Sequence, residues 1–536
     1  MTSYRSSLNL KFASRIIKSI VLRSQRPKED DHCTREQDVR AAKRAIKTEL
    51  ITWYHTRRDS PSTYNLLAGY LRAPQARNRQ SLEKMHLSTG ILSLALCALA
   101  LGGEIKNLPG APAVNFKQYA GYFNVGENQG HHLHYWFVES QGNPSTDPVL
   151  LWLTGGPGCS GLSALLTEWG PFMVNQDGTT LRANPYSWNK NANVLVLEAP
   201  AGVGFSYTDD GNVATDDAQT AEENWEALKA FFQEFPQFAK NDFYVTGESY
   251  GGVYVPTLVD TILRKQGDYK MNLKGFVIGN GCVSANLGMD TIIQFTYNHG
   301  MIDEDSWQKT NRMCCNGAID GCKFHTFTGF GYCASWAQEA ANNAWYSGIN
   351  PYNMYANCYQ GDNMVRPKQS RYEVDYFLRT GRHLPAKFEA VMCLDETPVT
   401  TYLNQESVRK ALFVPNNVKD WSICDGAVSQ EYNRGPGEMG DIVKNALNQG
   451  LRGLLYNGDV DMACNFLMGQ RFSANLGRAQ ISAKQEFKVN GQVGGFHTSY
   501  DNLDFISVRG AGHMVPSDKP AVAYHILSAF LNKQNP

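Results

Sequence analysis

Gly247-Glu248-Ser249-Tyr250-Gly251 sets a serine between two glycines, directly after the strand-like run "DFYVT" (242–246) and ahead of a helix-like run. A chain that reverses this sharply leaves little room for side chains at the flanking positions. It lifts the serine oxygen above a sheet and leaves the following backbone N–H facing the same space. The plain alternative is an ordinary Ser/Gly turn. A serine hydroxyl is a weak nucleophile near neutral pH and needs a base. His513, in "RGAGHMVPSDKP" (509–520), follows a late strand in a glycine-rich turn and is the candidate base. An acid that orients it is expected between the two in the chain. "YNGDVDMACN" (456–465) offers Asp459 and Asp461, and spacing alone leaves both open. "WLTGGPGCSG" (152–161) follows another strand-like run, and its adjacent glycines allow backbone N–H groups to face a developing oxyanion.

The elements around these residues predict an α/β fold. "LHYWFVES" (133–140) alternates like a half-buried strand. "VLLWLT" (149–154) and "NVLVLE" (193–198) are continuous apolar runs suited to a sheet covered on both faces. Residues 221–238 have helical spacing, and "GFVIGN" (275–280), "GLLYNG" (453–458) and "DFISVRG" (504–510) read as further strands. The expected fold is a mainly parallel, doubly wound sheet. Residues 282–397 break the pattern and read as an inserted lid, dividing the core into 104–281 and 398–536. Within the lid, the basic stretch 366–387 is either an exposed loop or a proteolytic processing segment held by flanking disulfides.

Composition narrows the setting. The 536 residues carry a net charge of −1, but residues 1–84 hold 18 Lys/Arg against 8 Asp/Glu and the rest 32 against 43. An acidic body argues against nucleic acid as a partner. Residues 85–103 contain an apolar stretch, Ile91–Leu101, of the length of a signal-peptide core and too short for a stable membrane span. Residues 85–103 are expected to be a signal peptide, with Met85 as the start and 1–84 as a non-native or alternative extension. With a secretory signal, the cysteines that follow are expected in disulfides. The cluster Cys314, Cys315, Cys322 lacks the paired spacing of a metal site, so neither metal nor other cofactor is expected. No N-x-[ST] sequon occurs in the chain.

Taken together, "LHYWFVES", "GGPGCSG", "LLTEWGPF", "NPYSWN", "PAGVGFSY", "TGESYGG", "YNGDVDMACNF" and "GAGHMVPSDKP" resemble, in order, the serine carboxypeptidases, nearest to their lysosomal members, from Phe116 to the C-terminus. The resemblance implies an α/β-hydrolase fold with an inserted cap. It also implies release of C-terminal residues from peptides through an acyl-enzyme. It assigns Ser249 as nucleophile, Asp461 as acid and His513 as base, with the amides of Gly156 and Tyr250 as oxyanion hole. Thr154, Gly155, Glu168 and Glu248 would bind the substrate's terminal carboxylate. Two carboxyls beside an anion cannot all stay ionised, so activity is expected to favour acidic pH. The family usually has Asn where this chain has Thr154, which leaves one donor in place of two. Close relatives often carry Ala at the Gly251 position. The implied disulfides are Cys159–Cys424, Cys314–Cys333, Cys315–Cys322 and Cys358–Cys393. Cys464 matches a free thiol near the family's active site, and Cys282 has no evident partner. The resemblance further implies a lysosomal or secreted location, β-galactosidase and sialidase as candidate partners, and a homodimer as a candidate assembly. Alternatives on the same chain are a protective scaffold for lysosomal glycosidases, or ester hydrolysis or acyl transfer by the same triad.

Overall fold

The computed structural model describes residues 102–358 and 393–536, apart from the side chain of Tyr346. The extension 1–84, nearly all of the expected leader and the basic stretch 366–387 therefore lie outside the described residues. Gly103, the last residue of the expected leader, pairs with Ala120 at one margin of the sheet.

Eleven strands form one continuous sheet: β1 (Gly103–Glu104), β2 (Gln118–Val125), β3 (His131–Val138), β4 (Val149–Leu153), β5 (Asn193–Leu197), β6 (Phe243–Glu248), β7 (Leu273–Gly279), β8 (Arg452–Gly458), β9 (Gln480–Val489), β10 (Gln492–Tyr500) and β11 (Leu503–Val508). Their spatial order is β1-β2-β3-β5-β4-β6-β7-β8-β11-β10-β9, and Tyr207–Thr208 adds a short strand beside β3. The central strands β5, β4, β6, β7, β8 and β11 run parallel, and antiparallel ribbons extend both margins. This is the α/β-hydrolase architecture expected from the sequence.

The apolar runs are continuous because both faces of the sheet are covered. Along β4, Leu151 and Leu153 enter one core while Leu150 and Trp152 enter the other, and all four are buried. The first core takes α2 (Asp217–Glu234) and α3 (Gly251–Arg264) through Phe231, Val255 and Leu258. The second takes α1 (Gly161–Thr167) and a C-terminal helix (Pro520–Leu531) through Leu165, Ile526 and Phe530. Helix α2 begins four residues earlier than periodicity predicts, because Asp216 caps it by accepting from the Gln219 amide. It ends at Glu234, since the proline at 236 disfavours helical backbone in the residue before it.

Among the described residues of 282–397 the structure shows helices, not strands, including α4 (Ala285–Asn298), α5 (Glu304–Cys314) and α6 (Tyr332–Tyr346). They enclose their own small core of Ile292, Phe295, Trp307, Phe324 and Ala340, stapled by Cys314–Cys333 and Cys315–Cys322.

Candidate active site

The serine turn is as tight as its glycines imply. Ser249 has φ 64°, a conformation unusual for a residue with a side chain. Its N–H donates to Gly279 O (3.2 Å), and its carbonyl accepts from Gly252 N (2.8 Å) and Cys282 N (2.9 Å). A Cβ on Gly247 would lie 2.6 Å from Leu153 O, and one on Gly252 2.7 Å from Cys282 N. Neighbouring strands thus press on the turn from both sides and exclude larger residues.

The loop after β4 lies against this turn. A Cβ on Gly155 would stand 2.3 Å from Tyr250 N and 2.7 Å from Ser249 Cβ, so only glycine allows the approach. Gly156 follows at φ 114°, and the loop is anchored by Cys159–Cys424. Neither the Gly156 nor the Tyr250 N–H is taken up in the backbone hydrogen bonds of loop and turn. The Tyr250 side chain points elsewhere, donating to Asp217 Oδ1 at 2.9 Å.

Asp461 and His513 meet in the interior. His513 Nδ1 is 2.9 Å from Asp461 Oδ2, and both side chains are almost wholly buried. The carboxylate also accepts from Asn280 Nδ2 (2.8 Å), Ala463 N (2.8 Å) and Cys464 N (3.2 Å). This donor set keeps a buried negative charge satisfied. The other ring nitrogen, His513 Nε2, is buried and has no hydrogen-bond partner. The Ser249 hydroxyl therefore does not bond it here; such catalytic contacts often tighten only when substrate arrives. The spacing left Asp459 open beside Asp461. Asp459 instead accepts from Gly510 N (2.7 Å), bracing the turn that leads to the histidine.

Two further carboxyls lie beside this row. Glu168 follows the last turn of α1 and Glu248 ends β6; they are 5 % and 3 % exposed. Glu168 is thus no surface helix acid. Burial raises its pKa to about 7, an effect opposed by a hydrogen bond from Glu248 and by the nearby His513. Burial and the charge of Glu168 push Glu248 well above the usual carboxylate range. Each keeps one buried oxygen, Oε2, without a partner. Thr154 Oγ1 accepts from Trp152 Nε1 (2.7 Å), which leaves its own hydrogen free to donate.

The arrangement can serve a nucleophile, a base with its acid, two free amides and a pair of proton-bearing carboxyls. Residues 109–533 match the family described as serine carboxypeptidase. The chain belongs to that family. It is a hydrolase that acts on peptides. It is 41% identical over 456 residues to the mouse lysosomal protective protein, covering 80% of this chain and 94% of the relative. It is 34% identical to the Caenorhabditis elegans serine carboxypeptidase ctsa-4.1, covering 83% and 96%. Among solved structures, the Saccharomyces cerevisiae prohormone-processing carboxypeptidase Kex1(delta)p superposes with a TM-score of 0.61 at 22% identity, covering 80% of this chain and 94% of that one. That likeness concerns the fold.

One expectation about this carboxypeptidase is overturned. Cys464 is not a free thiol and Cys282 is not unpaired: they form a fifth disulfide, besides the four pairs that the resemblance implied. The two cysteines are 182 residues apart, and no local spacing reaches that far. They meet because each follows one of the adjacent parallel strands β7 and β8. Sequence reasoning also missed Asn280, although a polar residue between two glycines at the end of an apolar strand was a readable signal. It missed the segment 350–354 as well. There Tyr352 O accepts from His513 N (2.6 Å), and Asn353 Nδ2 donates to Asp518 Oδ2 (3.0 Å), which also holds Gly512 N.

Proposed function

We propose that this carboxypeptidase removes the last residue of a peptide by way of an acyl-enzyme, and works best at acidic pH. Ser249 Oγ attacks the terminal peptide carbonyl while His513 Nε2 takes its proton, with Asp461 orienting the ring and stabilising the imidazolium. The amides of Gly156 and Tyr250 receive the oxyanion. The C–N bond then breaks and His513 returns the proton to the leaving amino group. Water, activated by the same histidine, frees the acid. Glu168, Glu248, Thr154 and Gly155 receive the substrate's terminal carboxylate. The carrying observation is the pair of buried carboxyls beside the Asp461–His513 contact. Proton-bearing carboxyls can donate to an anion, and a site built for a mid-chain bond would have no use for them.

The test compares a blocked dipeptide with its C-terminally amidated twin at about pH 5, using wild type and Ser249→Ala. Faster cleavage of the acid form than of the amide by wild type, and no cleavage by Ser249→Ala, is expected. Equal cleavage of both twins rejects carboxylate recognition, and an active Ser249→Ala rejects the triad. Transfer of the acyl group to an added amine or alcohol, in place of water, would favour the acyltransferase alternative.

A second role is favoured by the likeness to a relative named lysosomal protective protein. Five disulfides fit an oxidising lumen, so a lysosomal or secreted location is the setting proposed here. In it, association with glycosidases such as β-galactosidase or sialidase would be detected by co-purification. Failure of both to bind purified Ser249→Ala protein would count against that role alone.

A further inference from the structure

We infer that Asn280 is a positioning residue for the hydrolytic reaction: from the turn after β7 it fixes the Asp461 carboxylate, while the same turn fixes the backbone of Ser249. Strand β7 lies between β6, which delivers the serine, and β8, which delivers the acid. Asn280 is fully buried, with φ 40°, a left-handed conformation that Asn tolerates better than most residues. Both ends of its amide are used. Nδ2 donates to Asp461 Oδ2 (2.8 Å), and Oδ1 accepts from Gly458 N (3.1 Å) at the end of β8. Its backbone N–H donates to Tyr456 O (2.7 Å). On either side of it, Gly279 O accepts from Ser249 N and Cys282 N donates to Ser249 O.

Asp461 Oδ2 is also the oxygen that faces His513 Nδ1. Asn280 Nδ2, by the shorter bond, and Cys464 N both donate to that atom, and together they restrict the direction left for the imidazole. An amide suits the task because it cannot ionise. The other ionisable groups acting on Asp461 are Glu248 from the end of β6, Tyr352 from the lid segment and Asp518 beyond the histidine.

This inference rests on the proposed triad. The experiment measures kcat and KM for a blocked dipeptide with a free C-terminus, together with thermal unfolding, for wild type, Ser249→Ala, Asn280→Gly and Asn280→Asp. Glycine tolerates the backbone at 280 and removes both side-chain bonds. Its kcat is expected to fall about 10- to 100-fold, the range for one hydrogen bond to a charged group, with KM essentially unchanged. Asn280→Asp keeps the acceptor for Gly458 and can donate only while protonated. Its kcat relative to wild type should be highest at the acid end and fall about tenfold per pH unit once the new carboxyl ionises. A role limited to folding would leave that ratio flat. A flat ratio, or folded variants whose kcat stays within about twofold of wild type, overturns the inference. If Asn280→Gly does not fold, the pH profile of Asn280→Asp decides. Full activity of Ser249→Ala would instead remove the triad on which the inference stands.

Discussion

Glu168→Gln should separate substrate recognition from chemistry along the pH axis. In the wild type, Glu168 titrates at about 7, and burial with the charge of Glu168 pushes Glu248 well above the usual carboxylate range, so at acidic pH both carboxyls carry protons. Above pH 7 Glu168 is ionised, and its negative charge repels a carboxylate ligand. KM for a peptide acid should then rise about tenfold per pH unit, since the fraction of enzyme with both protons falls by that factor. The amidated twin carries no charge to repel, and its KM should stay flat. Glutamine donates at every pH, so Glu168→Gln should show a nearly flat KM for the acid and bind it more tightly than wild type at pH 8. Stability gives an independent reading. The unfolded carboxyl titrates near 4.5 and the folded one near 7, so the folded state keeps a proton that the unfolded chain releases. Its contribution is complete below pH 4.5 and is lost as pH rises to 7. A difference of that size corresponds to about 3 kcal/mol. Glu168→Gln should therefore be more stable than wild type at pH 8 by up to about that amount, and no more stable at pH 4. The assay is steady-state kinetics on both twins from pH 4 to 8, with denaturant unfolding at the two ends. A wild-type KM that rises equally for acid and amide, or a Gln variant that keeps the wild-type slope, would refute the reasoning.

Two other outcomes follow from the same contacts. Asp461→Asn should lower kcat about 10⁴-fold, because an amide cannot hold the imidazole in the required tautomer and charge state. Asp459→Asn keeps an oxygen for Gly510 N and should leave kcat within a few-fold of wild type; kinetics on the two purified variants checks this. Replacing Cys282 and Cys464 together by Ala should cost about 2–4 kcal/mol in denaturant unfolding while preserving the four other links. Peptide mapping of the unreduced wild-type protein should recover the 282–464 pair, and finding both thiols free would contradict it.

The sheet was readable where burial on both faces wrote a continuous apolar signal. Val149–Leu153, Asn193–Leu197 and Arg452–Gly458 each lie within a residue or so of their expected bounds. The Gln480–Tyr500 hairpin was not readable. Its first strand lies at the sheet margin and is exposed along most of its length, so no alternating core pattern marks it. The lid helices were obscured for a related reason. They bury a small core and present much polar surface, and Cys, Asn and Tyr dilute the period. At the site, glycines betrayed the serine turn and its facing loop because close backbone approach admits nothing else. The Cys282–Cys464 link was silent, and Asn280 showed only its unusual place between two glycines, since the partner that gives each its meaning lies nearly two hundred residues away.

That silence has a geometric source. Thr154, Ser249, Asn280, Asp461 and His513 each follow the carboxyl end of a parallel strand, in the spatial order β4, β6, β7, β8, β11. Parallel strands open their ends on one side of a sheet, and ligands of such folds bind there. With about 4.8 Å between neighbours, the strand that delivers Ser249 is about 14 Å from the one that delivers His513. Two side chains cannot close that gap unaided. The acid loop leans in from β8, the histidine loop is drawn toward it by Nδ1, and the intervening β7 contributes no nucleophile, acid or base. It contributes a turn that grips Ser249 by its backbone and Asp461 by the Asn280 amide. Catalytic order in this sheet therefore depends on the strand that carries no reacting group. A substitution there should lower kcat while leaving KM, which reports the carboxyls after α1 and β6, largely intact.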